Sequence, residues 1–156
     1  MEEPHELHDA YAALRIPAFR RGTHAIKVEK KGDAFAALET WKSDVGVQFN
    51  TRVLKDGRVY GLSDKGKLFC LSAKDGGKTV WEDDGGHQDY AAILDAGSVL
   101  MALPNNGELI VYKPGDKLDQ VAKLKVGGGG TYGAPVVFGK TILAKDSDSL
   151  TMWSLE

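Results

Sequence analysis

Four groups of residues in this chain are of the types that chemistry uses. Gly128-x-Gly130-x-x-Gly133 has the spacing of a dinucleotide fingerprint. That fingerprint works because a helix follows it, and the helix N-terminus holds the pyrophosphate. Here Ala134-Pro135-Val136-Val137 follows, which reads as a strand, so the glycines read as a flexible link. His5, Glu6, His8 and Asp9 place two imidazoles near one helical face. A zinc site needs three or four converging ligands, and His24 and His87 lie far along the chain, so this group reads as a solvated face. Asp146-Ser147-Asp148 lacks the remaining ligands of a calcium loop and reads as a turn. Cys70 sits between Phe69 and Leu71 with no histidine nearby. A nucleophilic thiol needs a base and an electropositive, partly open setting, so Cys70 reads as an apolar core residue. No Ser-His-Asp order and no paired carboxylates stand out. The sequence therefore assigns no catalytic residue and no metal ligand, and it leans away from an enzyme.

A second set of polar and aromatic residues is periodic. The segments FNTRVLKDG (Phe49–Gly57), DYAAILDAG (Asp89–Gly97) and TYGAPVVFG (Thr131–Gly139) align without gaps. In that alignment Asn50, Tyr90 and Tyr132 are equivalent, and so are Phe49, Asp89 and Thr131, with Gln48, Arg52 and Gln88 close by. Placed on the innermost strands of a ring of sheets, Asn50, Arg52, Tyr90 and Tyr132 would line a central channel and offer a surface to a polar ligand or a peptide.

The elements that must position them are short strands. From Gly57 to Trp81 the chain reads strand (Val59, Tyr60, Leu62), turn (Asp64-Lys65-Gly66), strand (Leu68 to Leu71), glycine-bearing turn, strand (Thr79 to Trp81). β-Branched and aromatic runs separated by glycine turns make an antiparallel meander. The meander recurs. The turn glycines Gly57, Gly97 and Gly139 fall at roughly 40-residue spacing, the period of a propeller blade. After each comes a second strand (RVYGLS, SVLMAL, KTILAK), a polar turn and a third strand (KLFCLS, ELIVYK, LTMWSL). One such unit cannot bury both faces alone, so neighbouring units must stack. The expected fold is all-β: a partial propeller of roughly three four-stranded antiparallel blades. Full blades are expected over 47–82 and 89–125. An incomplete first blade is expected from His24–Lys30 and Phe35–Trp41, and an unfinished last one from Thr131 to Leu155.

The segment LSAKDGGKTVW (Leu71–Trp81) resembles the D-A-x-T-G-K-x-x-W signature of PQQ-like β-propeller repeats through Ala73, Gly77, Lys78 and Trp81. Ser72 stands in place of the aspartate and Asp75 in place of the threonine, with one extra glycine in the turn. The other units match less well: VYKPGDKLDQVAKL has no tryptophan, and Ala37–Asp44 has Trp41 without the turn. The resemblance runs from about Gly22 to Glu156 and is to bacterial repeat proteins without evident quinone chemistry. It implies that Trp41, Trp81 and Trp153 dock blade on blade. Quinoprotein dehydrogenases of this kind carry adjacent cysteines over the cofactor; Cys70 is alone, so no PQQ and no other cofactor is expected. The resemblance also implies an exported protein. The start MEEPHELH does not read as a secretory signal, so the chain reads as staying inside or as a piece of a longer protein, and the compartment stays open.

The chain has 156 residues, a net charge of −2 and a hydrophobic fraction of 42%. These are the values of one soluble domain and do not point to nucleic acid or an anionic membrane. No apolar run reaches the roughly 20 residues of a membrane span. Residues 1–21 fall outside the repeat. Leu7, Tyr11 and Leu14 form one apolar stripe, Ala10, Ala12 and Ala13 favour helix, and Pro17 stops it. A short amphipathic helix is expected from about Pro4 to Arg15, covering a surface the missing strands leave open. Residues 22–156 form the propeller segment. The function expected is a non-enzymatic binding or assembly scaffold with a protein or peptide partner. The alternatives are the C-terminal fragment of a PQQ-dependent oxidoreductase, or a truncated propeller with no role of its own. The last strand, Ser149–Leu155, has no local partner for its outer edge. That edge is expected to accept the N-terminal strands of a second copy, giving a homodimer.

Overall fold

The computed structural model describes residues 22–154. The helix expected over 4–15, with its histidines, lies outside the described residues.

The described residues form thirteen strands in four antiparallel sheets. The first sheet pairs β1 (Thr23–Lys31) with β2 (Ala34–Ser43). The second is a meander of β3 (Val53–Lys55), β4 (Arg58–Leu62), β5 (Leu68–Ser72) and β6 (Lys78–Glu82). The third repeats it with β7 (Ala91–Asp95), β8 (Leu100–Pro104), β9 (Glu108–Lys113) and β10 (Asp119–Lys125). The fourth holds β11 (Val136–Phe138), β12 (Thr141–Lys145) and β13 (Leu150–Ser154). In each sheet spatial order follows chain order, because two-residue and other short turns allow only the neighbouring strand to pair. Asp56 and Gly57, both at positive φ (52° and 73°), form the β3–β4 hairpin turn. An Asp-Gly pair tolerates that conformation where most residues do not.

Successive sheets stack face to face. Strand alternation sends one side chain to the preceding sheet and the next to the following one. Val59, Phe69, Leu71 and Ala73 pack with Trp41, Val45 and Val47 of the first sheet and its link. Tyr60, Leu62, Leu68 and Cys70 of the second sheet meet Ala91, Ile93, Leu100, Ala102, Ile110 and Tyr112 of the third. Met101, Leu103 and Leu109 of the third meet Ile142 and Ala144 of the fourth. The central strands β4, β5 and β8 are buried on both faces, while β2, β10 and β13 are largely exposed. This is a propeller-like, all-β arrangement.

Candidate binding surface

The periodic residues lie one step earlier than the sequence suggests. The inner strands begin at Val53, Ala91 and Val136. Asn50, Arg52, Tyr90 and Tyr132 therefore sit on the segments that enter those strands, not on the strands themselves. The gap-free alignment holds in the turns, but the strand ladder starts later because Asn50 and its neighbours bond across to the next sheet.

Asn50 is the clearest case. Its amide nitrogen donates to the carbonyls of Leu62 (2.9 Å) and Asp89 (3.2 Å), and its Oδ1 accepts from the Ala91 amide (2.6 Å). Its side chain ties the entry to the second sheet to the entry to the third. Tyr90 repeats the gesture one sheet on, its hydroxyl donating to the Tyr132 carbonyl. Asp89 Oδ1 accepts from Asn105 Nδ2 at 3.3 Å, and the Asn105 carbonyl accepts from the Thr131 amide at 3.2 Å. The equivalence visible in the sequence is thus a repeated inter-sheet clasp. Arg52 is half-buried, with its stem against Gly61.

The series ends at Tyr132, which is 64% exposed. Its ring lies 5.3 Å from that of Tyr90 at an interplanar angle of 57°. Tilted aromatic pairs at this separation attract through their quadrupoles. Burial pushes the Tyr90 hydroxyl above the usual phenol range, so it stays a neutral donor. Phe49, 57% exposed, stands on the same class of entry segment.

The three tryptophans occupy joints between sheets. Trp41 lies against Gly77 of the second sheet, where a Cβ would overlap its ring. Trp81 packs 6.2 Å from both Tyr60 and Tyr112, and its indole N–H donates to the Gly115 carbonyl at 3.1 Å. Trp153, 42% exposed, donates to the Val126 carbonyl at 3.2 Å. Ser72 and Asp75 bond to each other across the turn: Ser72 Oγ donates to Asp75 Oδ2 (2.7 Å) and accepts the Asp75 amide (3.2 Å).

Cys70 is fully buried and its thiol is pushed up to about 11, chiefly by burial. A thiol held protonated among apolar side chains is not a nucleophile at neutral pH. His87 pairs with Asp83 (2.6 Å) and His24 with Glu39 (2.6 Å). Among the described residues no group of three His, Cys, Asp or Glu side chains could hold a metal. Nor, among them, is any helix long and apolar enough to cross a membrane. One feature escapes sequence reading: a cleft of about 500 Å³ between the first and second sheets, bordered by Lys42, Asp44, Asp64, Lys65, Lys78 and Glu82. Its residues come from three separate stretches, and its mixed charge selects no one ligand sign.

No protein-family model matches the chain, and no curated protein matches it. Among solved structures it is similar to the computationally designed Ika8 protein at 12% identity, with a TM-score of 0.54 over 84% of this chain and 46% of that one. It thus spans about half the length of that protein. The computationally designed Ika4 protein matches at 9% identity and a TM-score of 0.47, over 75% of this chain and 96% of that one. BamB from Moraxella catarrhalis matches at 14% identity and a TM-score of 0.38, over 85% of this chain and 56% of that one. The first likeness is one of fold.

Proposed function

We propose that the chain is a non-enzymatic binding module, a segment of a β-propeller built from PQQ-like repeats, which takes an extended peptide on the Tyr90–Tyr132 pair. The observation that carries this reading is the exposed Tyr132 ring tilted against that of Tyr90. Tyrosine supplies a large, rigid, amphipathic contact at small entropic cost, which is why it concentrates binding energy. Around it the inter-sheet bonds from Asn50 to Asp89 and Ala91, and from Thr131 to Asn105, fix the backbone. A pre-ordered surface loses little freedom on binding. The Leu71–Trp81 signature supports the repeat type. The sequence has one cysteine and so lacks the adjacent pair that the resemblance associates with a quinone cofactor. No step is therefore assigned to such a group.

The test is selection of peptides from a random display library on the wild-type chain, followed by titration of the enriched peptides. Tyr132→Ala is expected to weaken them at least about tenfold while the circular dichroism spectrum is unchanged, the loss of one aromatic anchor. No enrichment, or peptides that bind the variant equally well, would remove the site.

A further inference from the structure

Two sheet faces at opposite ends of the stack are uncovered among the described residues, one apolar and one mixed. In the fourth sheet Val136, Leu143 and Met152 lie in one cross-strand row, with Phe138 and Leu150 on the same face. Val136 is 57% exposed, Phe138 82%, Leu150 66% and Met152 72%. The repeat says what this face is for. Leu143 is the equivalent of Met101, and Met101 is buried against the sheet that follows its own. The fourth sheet presents the same docking face, with no other sheet stacked on it among the described residues.

At the other end, Ala25 and Trp41 stand opposite each other, and Trp41 contacts Gly77 of the second sheet. Alternation along β1 then turns Ile26 and Val28 to the other side. Glu39 lies across from Ile26, Ala37 across from Val28 and Phe35 across from Lys30, so apolar side chains alternate with charged ones across this face. Val28 is 50% exposed and Phe35 72%. This is the face onto which a preceding sheet would stack.

We infer that these two faces bind each other between two copies, the fourth sheet of each copy stacking on the first sheet of the other to close a two-chain ring. The contact is face on face, unlike the edge pairing of strands suggested by the unfinished last unit. It leaves β1 in place and asks no strand to be displaced. Two observations favour a second copy over another partner. The fourth sheet's aliphatic row and the first sheet's Ile26, Val28, Ala37 and Phe35 are side chains of the kind that already join neighbouring sheets within the chain, with Lys30 and Glu39 beside them. The chain also superposes on about half of a single longer chain of the same fold, so a second copy has the size of the remainder. Area favours closure over a single contact. Strands of five or more residues at ~3.3 Å rise and ~4.8 Å spacing make each face about 250 Å². One joint covers two such faces and falls short of a specific interface. Two joints cover about 1,000 Å² before side-chain relief, the threshold for one. The interface is head-to-tail, so it closes as a ring if the rotation fits and otherwise grows into filaments.

The experiment is size exclusion with light scattering from low to high micromolar concentration on wild type, Met152→Glu, Val28→Lys and their equimolar mixture. Met152 and Val28 are surface positions, and thermal melts check that each variant folds. Wild type is expected at twice the chain mass and each variant at the single mass. The mixture is expected to regain the double mass, because one joint keeps both native faces and the other pairs glutamate with lysine. A wild type that stays monomeric throughout overturns the inference. So does a Met152→Glu variant that remains dimeric, or a mixture that stays monomeric. None of these outcomes depends on peptide binding at Tyr132.

Discussion

Trp81 shows how one side chain joins two sheets. Its ring fills the space between Tyr60 and Tyr112, while its N–H caps the Gly115 carbonyl. The Gly115 amide in turn donates to the Tyr60 hydroxyl at 3.0 Å. The turn after β9 is therefore held by two aromatic residues of the preceding sheet. Trp81→Ala is expected to lower stability by about 3 kcal/mol through the lost ring, and Trp81→Phe by about 1 kcal/mol through the lost hydrogen bond. Tyr112, buried beside them, has no hydrogen-bond partner for its hydroxyl among the described residues, so Tyr112→Phe is expected to be neutral or stabilising. Urea melts read all three, and equal midpoints for Trp81→Ala and wild type would exclude a docking role.

The links between elements matter as much as the ladders. Lys55 of β3 pairs with Asp95 of β7 at 2.7 Å and also donates to the Gly97 carbonyl at 2.6 Å, and Arg58 pairs with Asp116. Both pairs run from the second sheet to the third. Between the third and fourth, Asp146 does the work of a buckle. Its Oδ2 accepts the Gly128 amide (2.8 Å) from the glycine link, and its Oδ1 accepts the amides of Asp148 (3.0 Å) and Ser149 (2.6 Å) in the β12–β13 turn. These backbone donors, Gly128 first, hold its carboxyl well below the usual aspartate range. A depressed folded value stabilises above the unfolded pKa of about 4 and loses that stabilisation as pH falls through the folded value. Asp146→Asn is expected to melt at lower urea than wild type at neutral pH. The gap should close in strong acid, where the wild-type carboxyl is also protonated. A gap independent of pH would show that the charge plays no part.

At the scale of the whole molecule, stability is graded along each sheet and along the stack. The strands buried on both faces, β4, β5 and β8, lie between other sheets, whereas β2, β10 and β13 face solvent on at least one side. Local opening follows burial. Amide exchange is therefore expected to be slowest in β4, β5, β8 and β9 and fastest among the strands in β10 and β13. Uniform exchange across all thirteen strands, or β10 as slow as β8, would contradict a stack whose core lies between the second and third sheets. In a two-chain ring, β13 would gain protection at high concentration, which ties this gradient to the joints proposed above.

How much of this the chain's own residues dictate differs from feature to feature. The strands, their order and their turns were legible because period-two patterns and glycine turns are local physics: Gly57–Trp81 contains β4, β5 and β6 where the pattern places them. The repeat of about 40 residues likewise implies stacked sheets, since no single meander can bury both faces. Cys70 reads correctly as a core residue from its two apolar neighbours. The roles of the periodic polar residues were not legible. Asn50 and Tyr90 are equivalent polar positions in sequence, and only the packing of one sheet on the next shows which backbone groups they bond. The mixed-charge cleft and the Asp146 buckle belong to the same class, since each joins residues far apart in sequence. Residue type sets what a side chain can bond. Which partner it reaches is decided by how the sheets stack, because the backbone donors and acceptors it needs come from another part of the chain.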